Sequence, residues 1–288
     1  MHVCKPFLPW ATRRRAALAC ALFALTALAN AQSALSAQTA QSQELRIGGT
    51  GAALGTLQQL AQAYAKAVPG TKLVVLPSMG SGGGIKAVLA GAIQIGLSSR
   101  PLSQAEVLAG AVAVEYGRTP FVFATAATNP VAGITTQNLV DYYAGKADTW
   151  PDGSKLRLVL RPIGDSDSES IKAMSPAMRE AKTAAEQRKG MVFTVTDQET
   201  ASAVEKIPGA LGPSTLALLL SEKRTLKALA LDGVVPSAQN IANGSYPLQK
   251  LLLLVTGPKS PPEALAFIGF VRSPAGRDIL QQTGHWVK

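Results

Sequence analysis

A glycine-rich stretch between two regular segments constrains this chain more than any other feature. Lys72-Leu-Val-Val-Leu76 has the apolar, β-branched character of a short strand. Ile85, Val88, Leu89 and Ile93 then recur at helical spacing. Between them lies Pro77-Ser-Met-Gly-Ser-Gly-Gly-Gly84. Glycines in a strand-to-helix turn let a ligand approach the backbone closely. The start of the helix leaves N–H groups without partners, and its dipole favours negative charge there. With the Ser81 hydroxyl as a further donor, the stretch reads as one wall of an anion site.

The same order occurs earlier in the chain. Glu44-Leu-Arg-Ile47 is a short strand, Gly48-Gly-Thr-Gly-Ala-Ala-Leu-Gly55 is a turn, and Leu57, Leu60, Ala61 and Tyr64 mark a helix from about Thr56 to Pro69-Gly70. A third strand, Ile93-Gln-Ile-Gly-Leu97, runs into Ser98-Ser-Arg-Pro101, and Ser103 is placed to cap a helix over 104–109. Alternating strands and helices imply an α/β fold with a parallel sheet and ligands at the carboxyl ends of its strands, where all three turns lie.

Further along, the run Thr119-Pro-Phe-Val-Phe-Ala124 is suited to carry the chain from one lobe to another. A helix is expected over 136–143 and a turn at Trp150-Pro-Asp-Gly153. Leu156-Arg-Leu-Val-Leu160 reads as a strand leading into Arg161-Pro-Ile-Gly-Asp-Ser-Asp-Ser-Glu-Ser170. A polar helix is expected over 171–189, a strand over 191–195, a helix from Asp197, a turn over 208–212 and a Ser214 cap on a helix over 216–220. Leu248 to Val255 is a strong strand leading back to the first lobe, and helices over 263–271 and 273–283 close the chain.

Residues 1–31 have the form of an export signal: Arg13, Arg14 and Arg15 precede an apolar run over 16–29, and Ala29-Asn-Ala31 supplies small residues before a cut at Gln32. Residues 32–43 read as a flexible leader. Cys20 raises a lipid-anchored alternative, which its upstream residues fit poorly. Cys4 and Cys20 are the two cysteines, so the exported part has none, and disulfides and thiolate chemistry are excluded from it. The formal charge is +10; Lys5 and the three leader arginines carry four of these charges and leave +6. That balance suits small anions. Nucleic acid is not expected, because no dense basic run follows residue 15 and aromatic residues make up only 5%.

The order of motifs resembles the periplasmic phosphate-binding proteins, the receptors of phosphate ABC importers. Gly49-Thr-Gly-Ala52 is similar to the family's first turn, Gly80-Ser-Gly-Gly-Gly-Ile-Lys86 to its second, and Ser98-Ser-Arg-Pro-Leu-Ser103 to the segment after its third strand. Asn129-Pro-Val131, Gly145-Lys146 and Trp150 resemble its entry into the second lobe. Gly244-Ser-Tyr-Pro-Leu248 resembles its return segment, and Phe267-Ile-Gly-Phe-Val-Arg-Ser273 its last helices. The likeness spans about residues 45–288. It implies a two-lobed fold, each lobe a mostly parallel sheet flanked by helices, with a ligand cleft between residues 44–123 plus 248–288 and residues 124–247. It also implies a monomer that binds phosphate or a similar tetrahedral oxyanion, with no cofactor, metal or catalytic residue, and delivers it to an inner-membrane ABC permease.

By the same resemblance, Ser81, the amides of Gly82 and Gly83, Ser99, Arg161, Ser166 and Ser168 supply donors, with Thr50 and Arg100 as further candidates. The sequence departs from the family at Ala53-Leu54, at Ser99 where a ligand aspartate is usual, and at Gly164-Asp-Ser-Asp-Ser168. Asp167, or else Asp165, is a candidate to replace the missing carboxylate and accept a proton from hydrogen phosphate; the alternative for both is capping of the following helix. Arg100 has an alternative role in a salt bridge across the lobes. The competing function classes are a sensor or interaction module, a receptor for another oxyanion, and a hydrolase. Against a hydrolase, there is no Gly-x-Ser-x-Gly elbow, and His285 is the one histidine outside the leader.

Overall fold

The computed structural model describes residues 1–2 and 44–288. The expected export signal and leader lie almost wholly outside the described residues. Strand β1 (Glu44–Gly49), helix α1 (Leu54–Ala67), β2 (Lys72–Val75), α2 (Gly80–Ala90) and β3 (Ile95–Ser98) realise the repeated strand-turn-helix unit. β1 pairs in parallel with β2 on one side and β3 on the other. Helix α2 carries little amphipathic pattern and still forms, because its glycines let it lie directly on the strands. A Cβ at Gly84 would stand 2.6 Å from the Cα of Gly49 and 2.7 Å from the carbonyl oxygen of Gly48. Those neighbours are backbone and cannot yield, so Gly84→Ala is expected to cost about 1–3 kcal/mol by overpacking. The check is a lower urea midpoint with an unchanged m value.

Helix α3 (Gln104–Leu108) is capped by Ser103 in a reciprocal box with Glu106. Strand β4 (Val112–Ala126) is 15 residues long and serves two sets of partners. Its first half pairs antiparallel with β11 (Gln249–Thr256), and its second half pairs with β8 (Ala210–Thr215) and β9 (Leu226–Ala228). β11 also pairs antiparallel with β3. At the far end β8, β6 (Arg157–Leu160) and β7 (Val192–Phe193) run parallel. The sheet order is therefore β2-β1-β3-β11-β4-β8-β6-β7, parallel at both ends and antiparallel where β4 and β11 cross its middle. A small parallel pair joins β5 (Gly133–Ile134) to β10 (Ala230–Leu231).

Several boundaries differ from the sequence reading. The helix expected over 171–189 is two: α5 (Ser166–Lys172) and α6 (Pro176–Gln187), which follow α4 (Thr136–Ala144). Ser175 caps the second, and Pro176 sits in its first turn, where the missing N–H costs nothing. Helix α7 (Asp197–Lys206) starts as expected. The turn expected over 208–212 is in large part the buried strand β8, whose small residues read as a turn when taken singly. The cap of α8 (Leu216–Ser221) is Thr215 rather than Ser214. The helices α9 (Ala238–Ala242), α10 (Pro262–Val271) and α11 (Pro274–Gln282) complete the described chain.

Buried apolar side chains gather in separate clusters. One has its buried members between Phe121 and Tyr246, among them Trp150, Tyr143, Leu160 and Met178, with Leu248 and Trp286 packed against it. Another joins β1, α1 and β3 to Leu252, Leu254, Phe267 and Leu280, with Ala217 as its contribution from α8. Residues 44–288 nonetheless form one compact unit. His285 is packed inside, its ring 6.1 Å from that of Tyr116, and burial lowers its pKa to about 4.

Candidate functional site

The ends of β1, β3 and β6 and the starts of α2 and α5 meet at a cluster of four hydroxyls. Thr50 Oγ1 donates to Ser99 Oγ at 3.3 Å, Ser81 Oγ lies 3.2 Å from Ser99 Oγ, and Ser166 Oγ lies 3.2 Å from it on another side. Each of the three outer hydroxyls already accepts from a group that can only donate. The Ala52 amide donates to Thr50 at 3.3 Å, the Ser99 amide to Ser81 at 3.0 Å, and the Lys250 ammonium to Ser166 at 3.1 Å. Each hydroxyl so engaged keeps its proton for another acceptor. The three bonds among the four hydroxyls use only three of their protons, so at least one donor is left for a ligand. The first-turn amides of α2, which have no partners inside the helix, add to that excess. An acceptor-rich ligand fits such a surface.

Beside the hydroxyls is a cavity of about 500 Å³, lined by Gly80, Ser81, Gly82, Ser99, Arg100, Gly164, Asp165, Ser166 and neighbouring residues of α5. Gly82 faces it with open space; the nearest atom to a Cβ there would be an Arg100 nitrogen at 4.0 Å. Gly83 turns instead toward Met79, whose side chain would lie 3.2 Å from its Cβ. Arg100 borders the cavity but makes no bridge across the fold. Its guanidinium holds both carboxylate oxygens of Glu106, at 2.9 and 2.7 Å, within its own strand-to-helix turn. That pairing holds the Glu106 carboxyl down at about 2, with the Ser103 amide assisting.

Behind the hydroxyls lie the charges. Arg161, 2% exposed, donates to both oxygens of Asp165 at 3.2 and 2.9 Å and to the Thr194 carbonyl at 3.1 Å. Burial alone would lower its pKa, but Asp197, Asp165 and Asp167 outweigh it and raise it. Asp165 also accepts from the Asp167 amide at 2.9 Å as the cap of α5, so the capping alternative holds for Asp165, with the helix starting at Ser166 rather than near Ser170. Asp167 is buried between two cations: one oxygen pairs with Lys250 and the other lies 4.0 Å from Arg161 Nε. The Ser168 hydroxyl is committed to the Arg161 carbonyl at 2.9 Å and makes no contact with the hydroxyl cluster.

Of the ten candidates read from the sequence, the fold brings Thr50, Ser81, Ser99 and Ser166 into direct contact and sets Gly82 and Arg100 on the same cavity. Arg161 and Asp167 form the charged floor, while Gly83 and Ser168 point elsewhere. Two residues escaped the sequence reading. Lys250 left a signal: it is a lone cation leading directly into the apolar run of 251–255. Asp197 left none, because an acidic residue in a first helical turn is ordinary.

Asp197 accepts from the Gly51 amide at 3.0 Å, and Gly51 has room for no more: a Cβ there would lie 2.8 Å from the same carboxylate oxygen. Burial and, next, the Asp167 charge raise Asp197 to about 6 from 3.8. A carboxyl whose folded pKa is raised favours the folded state at low pH, and that contribution is lost as pH rises from 3.8 through 6. Asp197→Asn is expected to flatten the stability profile in that window by about 2–3 kcal/mol, read as urea midpoints at successive pH values. An unchanged slope would mean the carboxyl ionises normally.

The chain is 29% identical over 243 residues to the phosphate-binding protein PstS of Bacillus subtilis, covering 81% of this chain and 76% of that protein. It is 24% identical over 246 residues to the protein of the same name from Borreliella burgdorferi, covering 83% and 88%. A crystal structure from Clostridium perfringens, described as a phosphate ABC transporter substrate-binding protein with bound phosphate, superposes with a TM-score of 0.72 at 24% identity, covering 85% of this chain and all of that one. The sequence profile of the PBP superfamily domain matches residues 34–275, and the chain belongs to that superfamily.

Proposed function

We propose that the protein is a periplasmic receptor for phosphate, or a closely similar tetrahedral oxyanion, which it holds at the Thr50–Ser81–Ser99–Ser166 cluster. The observation that carries this reading is the excess of hydroxyl donors beside a helix start. Such a surface suits an acceptor with several oxygens and offers no acceptor-rich counterpart for a cation. The names of the two PstS relatives and the Clostridium structure support phosphate as the ion. Charge-assisted hydrogen bonds contribute about 1.5–3 kcal/mol each. About 8 kcal/mol net gives micromolar binding, so a handful of bonds suffices after the costs of ordering and desolvation.

Residues 44–123 with 248–288 form one lobe in this reading and residues 124–247 the other, with the cluster between them. The chain crosses between the lobes within β4 and again just before β11, and hinge motion there would admit and enclose the ion. The protein works as an exported monomer, turns nothing over, and delivers its ion to an ABC permease of the inner membrane. The carboxylates explain selectivity. An acid facing the ion repels sulfate, while hydrogen phosphate can donate a proton to it. With Asp167 flanked by two cations, the acid proposed for that role is Asp197, which accepts from the Gly51 amide next to Thr50, and Asp197→Asn should narrow the preference for phosphate over sulfate.

Titration calorimetry of the chain from Gln32 onward with phosphate, arsenate, sulfate and molybdate tests the reading. Tight binding of phosphate and arsenate with weak binding of sulfate is expected. No heat from any of the four would sink it.

A further inference from the structure

We infer that Lys250, on β11, is a positioning residue for the bound anion: it aims the Ser166 hydroxyl proton at the ion and supplies the charge that keeps the site from repelling it. The inference rests on the oxyanion reading above and concerns a residue outside every sequence motif.

Lys250 is 2% exposed, on a strand whose next four residues are all leucine. Burying an ammonium is costly, and a lysine with only a packing role is replaceable by an apolar side chain of similar length. Here the ammonium lies 5.2 Å from the centroid of the Phe121 ring, pairs with Asp167, and donates to Ser166 Oγ at 3.1 Å. An ammonium has no lone pair, so Ser166 must be the acceptor in that bond. Its own proton is then free for Ser99 Oγ, 3.2 Å away, or for a ligand beside it. Without Lys250, Ser166 could turn its proton toward the nearby Asp167 carboxylate and would then present a lone pair to the anion.

The charge balance points the same way. Arg161 is engaged by both oxygens of Asp165 and by the Thr194 carbonyl. Asp167 stands between Arg161 and Lys250, and Asp197 is close enough to feel both cations. Arg161 and Lys250 together just offset Asp165 and Asp167. Remove Lys250, and the floor beneath the hydroxyls carries a net negative charge even with Asp197 protonated.

The experiment is phosphate calorimetry with thermal unfolding on the native chain and three variants: Lys250→Met, Asp167→Asn, and the two combined. Lys250→Met should weaken phosphate binding by about 100-fold, the range found when one member of a buried charge pair is truncated. Asp167→Asn removes an opposing acid while the Lys250–Ser166 bond survives, so it should tighten phosphate binding by about 3- to 10-fold. The double variant restores the balance of charge but leaves Ser166 without its ammonium donor and with an amide oxygen at position 167 to turn to, so it should unfold close to the native temperature and bind about 10-fold more weakly than the native chain.

Native affinity in the double variant would overturn the inference, because Lys250 would then be only the counter-ion of Asp167. Native affinity in Lys250→Met would do the same. If Lys250→Met fails to fold, the double variant carries the comparison alone. A native chain that binds none of the four oxyanions fails at the earlier step, and that failure is distinguishable because it needs no variant.

Discussion

A carboxylate at position 81 is expected to abolish anion binding while leaving the fold nearly unchanged. The Ser81 hydroxyl lies 3.2 Å from Ser99 Oγ and lines the cavity, so the longer side chain of Ser81→Asp has space to enter. It would bring a negative charge to within about 4 Å of a bound oxyanion, where two like charges repel by about 4 kcal/mol at an effective dielectric constant near 20. That corresponds to a loss of roughly 1000-fold in affinity. The Ser99 amide, which now donates to Ser81 at 3.0 Å, would find a carboxylate acceptor instead, so little stability should be lost. Phosphate calorimetry and thermal unfolding measured together decide the matter. Retained affinity would remove Ser81 from the site.

Replacing Arg161 should have the opposite profile, with a large loss of stability. Arg161→Met deprives Asp165 of two hydrogen bonds and the Thr194 carbonyl of one, and leaves Asp167 with Lys250 as its one cation. Breaking a buried pair by removing one partner costs about 3–5 kcal/mol, because the surviving charge stays buried. The combined variant Arg161→Met with Asp165→Asn should recover a large part of that loss, since no uncompensated acid is created. Denaturant unfolding of both variants provides the check. If the single variant loses less than 1 kcal/mol, roughly the value of an exposed ion pair, the guanidinium is not the centre of a buried network.

The two variants separate what the local sequence shows from what needs the fold. Ser81 was legible because a strand, a glycine-rich turn and a helix follow one another in sequence, and that order alone makes a donor surface at the turn. The same local logic found Ser99 at the end of β3, the Ser103 cap and the start of α7. It failed at β8, where Ala210–Thr215 looks like a turn and becomes a strand because β4 and β6 pair with it on both sides. Of the two roles open to Arg100, the salt bridge across the lobes is not seen, since its partner Glu106 is six residues away. Arg161 and Asp167 were legible as candidates, but their pairing with Asp165 and Lys250 was not.

By itself, the chain's order of residues determined the elements, the repeated unit and the identity of most donors, because hydrogen-bond periodicity, glycine turns and helix caps act over a few residues. Only the tertiary structure decided which donors share a ligand and how their protons point. Lys250 stands 84 residues from Ser166, and Asp197 stands 146 from Gly51, so their contacts depend on how β11 and α7 pack rather than on any spacing along the chain. Electrostatic partnership falls with distance in space, and separation along the sequence does not measure that distance.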